Sequence, residues 1–148
     1  QIERYTNIQK LCMAGQIEAV FDVPEEVRGK KILKFLLQPL VENCFEHGFS
    51  RDKRDGRIEI SASSQEGVVT LTVEDNGSGM SGARLKQLKE KCRELGSLCL
   101  DKEETDSIGL LNVNFRLKNY YGEEYGLILE SEEGRGTKIT IRIPEGEK

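Results

Sequence analysis

The sequence predicts an α+β, two-layer sandwich: a mixed, mostly antiparallel sheet of about five strands with its helices on one face. Three observations predict it. Two pairs of alternating apolar and polar runs are each joined by a short glycine-containing turn, which makes two hairpins. Helical spacings separate those hairpins instead of alternating one-for-one with strands. The 148 residues, 36% hydrophobic and 32% charged, suffice for one ordinary core and match the composition of a folded chain.

Taken in order, Ile2, Tyr5, Ile8, Leu11 and Cys12 recur at spacings of three and four, an amphipathic helix ending near Gly15. The pattern is already running at Gln1, so residues 1–14 are expected to be the trailing end of a longer helical region and residues 15–148 the domain. Ile17, Ala19, Phe21 and Val23 alternate with Glu18 and Asp22 in a strand that Pro24 stops. Residues 32–47 are densely apolar. Pro39 would clash with the turn before it if it lay deep in a helix, so the main helix is expected to start near Gln38 and end at Gly48. Ile58, Ile60 and Ala62, then Val69, Leu71 and Val73, face one side of two strands joined at Gln65-Glu66-Gly67. Residues 82–95 put Leu85, Leu88, Cys92 and Leu95 on one helical stripe, and residues 96–107 read as a loop. A helix from Gly109 to about Tyr121 presents Leu110, Val113, Leu117 and Tyr120. Strands near 126–131 and 137–143 meet at Glu133-Gly134-Arg135-Gly136, and Pro144 ends the structured part.

Charge excludes some functions. With 22 basic and 26 acidic residues the net charge is -4, which gives no bulk attraction to nucleic acid or anionic membrane. An anionic ligand must be held by helix N-termini, glycine loops or a metal ion. Cys12, Cys44, Cys92 and Cys99 form no C-x-x-C pair, and the single His47 completes no zinc site with them at usual spacing. They read as reduced thiols, Cys12 and Cys44 in the core. No apolar run approaches 18 residues, so this stretch is not expected to cross a membrane.

Four segments carry chemistry. Val73 to Met80 delivers Asp75 from a strand into a glycine turn. That carboxylate can accept from an exocyclic amine, and Gly77 and Gly79 let a flat base approach, although the same segment also reads as a plain Asn-Gly turn. The apolar helix carries Glu42, Asn43 and His47; a magnesium ion with phosphate oxygens would partner them, as would solvent on an exposed stripe. Ser107-Ile108-Gly109-Leu110 opens a helix whose free amides and dipole suit phosphates, with Ser107 equally an N-cap. Gly134-Arg135-Gly136-Thr137 is a hairpin turn unless Thr137 lies beside Asp75 on the neighbouring strand.

In this order the segments Leu37-Gln38-Pro39-Leu40-Val41-Glu42-Asn43 with His47-Gly48, Asp75 to Met80, Gly109 to Asn112 and Gly134 to Thr137 resemble the ATP-binding boxes of bacterial sensor histidine kinases. The superfamily is shared with gyrase, mismatch-repair and heat-shock chaperone ATPases, and the Gln-Pro-Leu-Val-Glu-Asn form is similar to one subfamily of membrane sensors. The resemblance implies that Asp75 binds the adenine amine, directly and through a water shared with Thr137. Gly77, Gly79, Met80, Ser107, Gly109 and Leu110 would line the nucleotide, with a lid between about 81 and 107. Asn43 would hold Mg²⁺ across the phosphates of ATP, with His47 on the metal side and Glu42 as a catalytic or metal-supporting acid. It implies γ-phosphoryl transfer to a histidine on an upstream dimerising helical hairpin, passage to a response regulator, and a cytoplasmic domain of a homodimeric membrane sensor. Ser107 stands where the family usually has glycine, and Glu46 where it usually has a basic residue. A degenerate nucleotide-binding regulatory module and an anti-sigma-type serine kinase are the alternatives.

Overall fold

The computed structural model describes residues 17–28, 36–45, 55–93 and 108–145. Its elements are β1 (Ile17–Asp22), α1 (Glu25–Arg28), α2 (Leu37–Asn43), β2 (Gly56–Gln65), β3 (Val68–Asp75), α3 (Gly82–Arg93), α4 (Ile108–Tyr121), β4 (Ile128–Glu132) and β5 (Gly136–Pro144). The strands form one sheet in the order β1-β2-β3-β5-β4, with β1 parallel to β2 and the other pairings antiparallel. This is the mixed, mostly antiparallel five-stranded sheet that the sequence predicts.

Period-two alternation sends every second side chain of a strand to one face. Register then aligns those side chains into rows. Ala62, Leu71 and Ile141 make one row, and Ile60, Val73, Ile139 and Leu129 the next; all are buried. The helices close over them with Leu40 and Val41 of α2, Leu88 and Cys92 of α3, and Leu110, Val113, Leu117 and Tyr121 of α4, all in one apolar cluster. Full burial of a large aliphatic side chain contributes about 1.5–3 kcal/mol, so the sheet–helix interface is the main source of stability. The β2–β3 turn is a two-residue link with φ of 52° at Glu66 and 77° at Gly67, the left-handed pair that suits strand twist.

The structure departs from expectation in three places. After Pro24 the chain forms the single turn α1, with Val27 N–H donating to Pro24 O at 3.0 Å and Glu25 and Glu26 in the first turn. Proline ahead of two acids is a helix-start signal, here overshadowed by the strand it also ends. On α4 the buried tyrosine is Tyr121, not Tyr120, which is 44% exposed. Val113, Leu117 and Tyr121 are four apart, and packing takes that step over the equally helical step of three from Leu117 to Tyr120. Finally, α2 begins at Leu37, beside the expected Gln38 and with Pro39 in its first turn, but takes π-type spacing at Cys44–Phe45, a distortion common at functional positions. The expected helix end at Gly48, the helical residues 1–14, Leu95 and the loop 96–107 lie outside the described residues.

The outer strands carry acids. Glu18 and Asp22 on β1, and Glu130 and Glu132 on β4, are exposed.

Candidate functional site

The apolar rows end in a polar one. Asp75, the last residue of β3, pairs with Ile58 of β2 on one side and Thr137 of β5 on the other, and Thr137 pairs with Ser131 of β4. Cross-strand partners share a face, so Asp75, Thr137 and Ser131 stand side by side on the core face, at the end where the apolar rows stop. Asp75 is 5% exposed and Thr137 7%. The condition that gave the Gly134–Thr137 segment meaning is therefore met: Thr137 lies beside Asp75.

Burial pushes the Asp75 carboxyl above its ordinary range, because a charge loses its water there. Donors oppose that shift: the Gly77 amide at 2.8 Å, the Cys44 thiol and the Thr137 backbone amide. Cys44 belongs to the widened end of α2, where its thiol also reaches Leu40 O at 3.4 Å. This contact ties Asp75 to the helix end that carries Asn43. Burial pushes the Cys44 thiol well up, and Cys44 and Cys92 are buried free thiols.

The loop after Asp75 is clasped from two sides. Asn76 accepts from Arg57 N at 2.7 Å and donates to Asp55 O at 2.9 Å, fastening the loop to the start of β2. On the other side Gly134 N donates to Ser78 O at 2.7 Å and Met80 N to Ser131 Oγ at 2.8 Å. Gly79 has φ of 67°, and a Cβ there would lie 2.1 Å from Glu132 O. The missing side chain that the sequence assigned to an approaching base is thus already needed for the approach of the β4–β5 hairpin. Gly136, at φ of 130°, is tighter still, with a Cβ 2.0 Å from Asp75 O.

On α2, Glu42 and Asn43 are half-buried. Glu42 accepts from Gln38 one turn earlier at 3.2 Å, and the Asn43 amide has no hydrogen-bond partner among the described residues. Gly109 in the first turn of α4 sits against α2, its would-be Cβ 3.8 Å from that of Pro39. Leu110 is 3% exposed, so its side chain serves the core and only its backbone is open to a ligand role. Asp75 thus joins Thr137 and the end of α2, while α2 joins the start of α4. His47, Ser107 and Glu46 lie outside the described residues.

Two residues escaped the sequence reading. Ser131 lies at the end of the strand expected near 126–131 and was given no role there. Asn114 is a buried amide that donates to Cys92 O at 2.9 Å and accepts from Leu127 N at 2.9 Å, holding α3, α4 and the lead into β4 together. Its position between Val113 and Leu117 on the apolar stripe was the available signal, since a buried polar group must find partners. An open cavity of about 350 Å³ lies beside Asn114, lined by Lys89, Arg93, Lys118, Glu123 and Glu124, and includes none of the residues assigned to nucleotide.

A polar row at the end of a core face, a clasped glycine loop and a helix end against its carboxylate make the candidate site of an α+β domain. The chain matches the model of the histidine kinase-, DNA gyrase B- and HSP90-like ATPases over residues 29–147, and it belongs to that family. It is similar to the sensor histidine kinase YesM of Bacillus subtilis, 34% identical over 143 residues, which cover 97% of this chain and 22% of YesM. It is also 32% identical to the sensor protein kinase HptS of Staphylococcus aureus, over 97% of this chain and 26% of that protein. The chain therefore spans about a quarter of the length of the curated relatives it matches. The catalytic domain of the histidine kinase ThkA, in a nucleotide-free form, has the same fold, with a TM-score of 0.64, 17% identity and coverage of 97% and 90%. The histidine kinase domain of the blue-light-activated kinase of Erythrobacter litoralis follows at 0.62, 23% identity, 96% and 58%. Among the described residues no helix is long and apolar enough to cross a membrane.

Proposed function

We propose that this domain binds Mg-ATP and serves as the catalytic part of a two-component sensor kinase, presenting the γ-phosphoryl group to a histidine on an upstream helix. One observation carries the reading: a buried carboxylate and a threonine are paired across two strands, and the same carboxylate touches the helix end that bears Asn43. Asp75 accepts from the adenine amine, with Thr137 sharing a water with it, and the backbone of Gly77, Gly79 and Met80 borders the base. At the other end the amides of Gly109 and Leu110, with Ser107 ahead of them, point an unsatisfied helix N-terminus at phosphates. Among the described residues no three His, Cys, Asp or Glu side chains gather to cage a metal. The half-buried Asn43 amide fits magnesium, which takes one or two protein oxygens and completes its shell from phosphates and water. Asn43 would supply the amide oxygen, with His47 and Glu42 flanking it, and the ion would neutralise charge on the phosphates. Transfer of a phosphoryl group needs positioning and charge balance more than covalent help, which is what rigid ends of a sheet and two helices provide. By likeness to YesM and HptS the whole protein would be a sensor kinase. We take it to be a homodimer at a membrane, with this part in the cytoplasm and a response regulator as the next acceptor.

The experiment is an ATP titration with and without Mg²⁺, repeated on Asp75→Ala. Losing a charge-assisted hydrogen bond is expected to weaken binding about 10- to 100-fold while the circular dichroism spectrum stays the same. Equal affinity in both proteins overturns the adenine assignment. Glu46 and Ser107 favour a second reading, a nucleotide-binding regulatory module without transfer. A longer protein carrying the upstream helices that binds ATP yet gains no acid-labile phosphate would establish that reading.

A further inference from the structure

Ser131 makes three short contacts, and their donors can be counted. The Met80 amide can only donate, and it lies 2.8 Å from Ser131 Oγ. The Gly136 carbonyl can only accept, and it lies 2.9 Å from the same oxygen. A serine hydroxyl has one proton and two lone pairs, so the proton goes to Gly136 and one lone pair to Met80. The third contact, to Thr137 Oγ1 at 2.9 Å, leaves the direction open when taken alone. With the other two in place only one direction remains: Thr137 donates to Ser131. Ser131 is then saturated, and the Thr137 hydroxyl has no proton left to offer, only lone pairs.

We propose that Ser131 is a positioning residue that fixes the Thr137 hydroxyl as an acceptor, so that Thr137 and Asp75 together form an acceptor-only edge selecting a 6-amino purine over a 6-oxo purine. The inference rests on the reading that this edge meets the base. Both residues lie in one cross-strand row with Ser131, which gives the three side chains a common face and fixed spacing. As a carboxylate, Asp75 also brings only lone pairs. An amino group, or a water donating in its place, satisfies such an edge; a carbonyl oxygen set against it leaves acceptors facing acceptors, and buried polar groups without partners are costly. Adenine and hypoxanthine differ at position 6 and, with it, at N1, which accepts in adenine and carries a proton in hypoxanthine; the change in the ratio of their triphosphates between the native chain and a Ser131 variant therefore reads the Thr137 hydroxyl.

The test measures binding of ATP and inosine triphosphate to the 148-residue chain by calorimetric titration with Mg²⁺. In Ser131→Ala the Thr137 proton is released and can donate to a 6-oxo group. The preference for ATP over inosine triphosphate is expected to fall about fivefold, the size of one neutral hydrogen bond, while Ser131→Thr retains it. Thr137→Val is expected to lower the preference similarly, and the double variant Ser131→Ala with Thr137→Val to lower it no further, since both act on one hydroxyl. A preference unchanged in Ser131→Ala but lowered in Thr137→Val overturns the proposal. Should Ser131→Ala fail to fold, Ser131→Cys, whose sulfur is a weaker acceptor for the Thr137 proton, is expected to lower the preference part of the way; an unchanged preference there also overturns it. Failure of the underlying reading looks different: Asp75→Ala would then leave both affinities, and their ratio, where they were.

Discussion

Gly67 and Gly136 both sit in hairpins with left-handed φ, 77° and 130°, yet the two positions are not alike. A Cβ added at Gly67 meets nothing within 4 Å, whereas one at Gly136 falls 2.0 Å from the carbonyl oxygen of Asp75. Gly67 serves its own turn. Gly136 serves its neighbour: its bare backbone lets β5 press against the residue that the site depends on. The same contrast separates the hairpins as wholes. The β2–β3 turn is braced by Glu145 beyond the far end of β5, while the β4–β5 turn holds the loop through Ser78, Gly79 and Met80.

The largest effect is expected from Gly136→Ala. Backbone must move to admit the methyl group, so urea unfolding should show a loss of about 3 kcal/mol or more, and ATP binding should go with it. A loss no greater than that of Gly67→Ala would make the two glycines equivalent and dissolve the distinction.

Asp75→Asn sharpens it from the carboxylate side. Burial raises the folded-state pKa of Asp75 above its unfolded value, so the stability this group contributes is full below the unfolded value, about 4, and is lost as pH rises through the folded value. Asparagine keeps an acceptor for the Gly77 amide and has no charge to bury. Thermal melts are expected to show the variant more stable than the native chain by on the order of a few degrees at about pH 7–8, the gap closing toward about pH 3. ATP binding should fall nonetheless. A native chain that is the more stable at neutral pH would mean that its donors outweigh its burial.

Gly67→Ala should do least. It forces a left-handed alanine into open space, at a cost of about 1–2 kcal/mol in urea unfolding, with ATP affinity unchanged.

Much of this was legible in the sequence because it is periodic. Ile58, Ile60, Val69, Leu71 and Val73 declared their face by alternation alone, and Leu110, Val113 and Leu117 theirs by steps of three and four. The Asp75–Thr137 pairing was legible only as a condition, since the two lie 62 positions apart and register between strands that are not consecutive in the chain is written in no local pattern. Asn114 was legible only as a polar residue on an apolar stripe, and Ser131 not at all. Each has a partner in a loop, Leu127 and Met80, whose approach depends on how the whole sheet is assembled. Tyr120 and Tyr121 show the smaller limit: adjacent aromatic residues at the end of a helix leave the phase of its last turn undecided until packing chooses.

The sheet has two borders, β1 and β4. A strand with one neighbour exposes a ladder of unused amides and carbonyls, an invitation to a second copy. Here each border bears two exposed carboxylates, Glu18 with Asp22 and Glu130 with Glu132, and the latter border is only five residues long. Two molecules approaching rim to rim would bring negative charge against negative charge. Self-association through the sheet is thereby discouraged, and the rim beside the glycine loop after Asp75 is left clear.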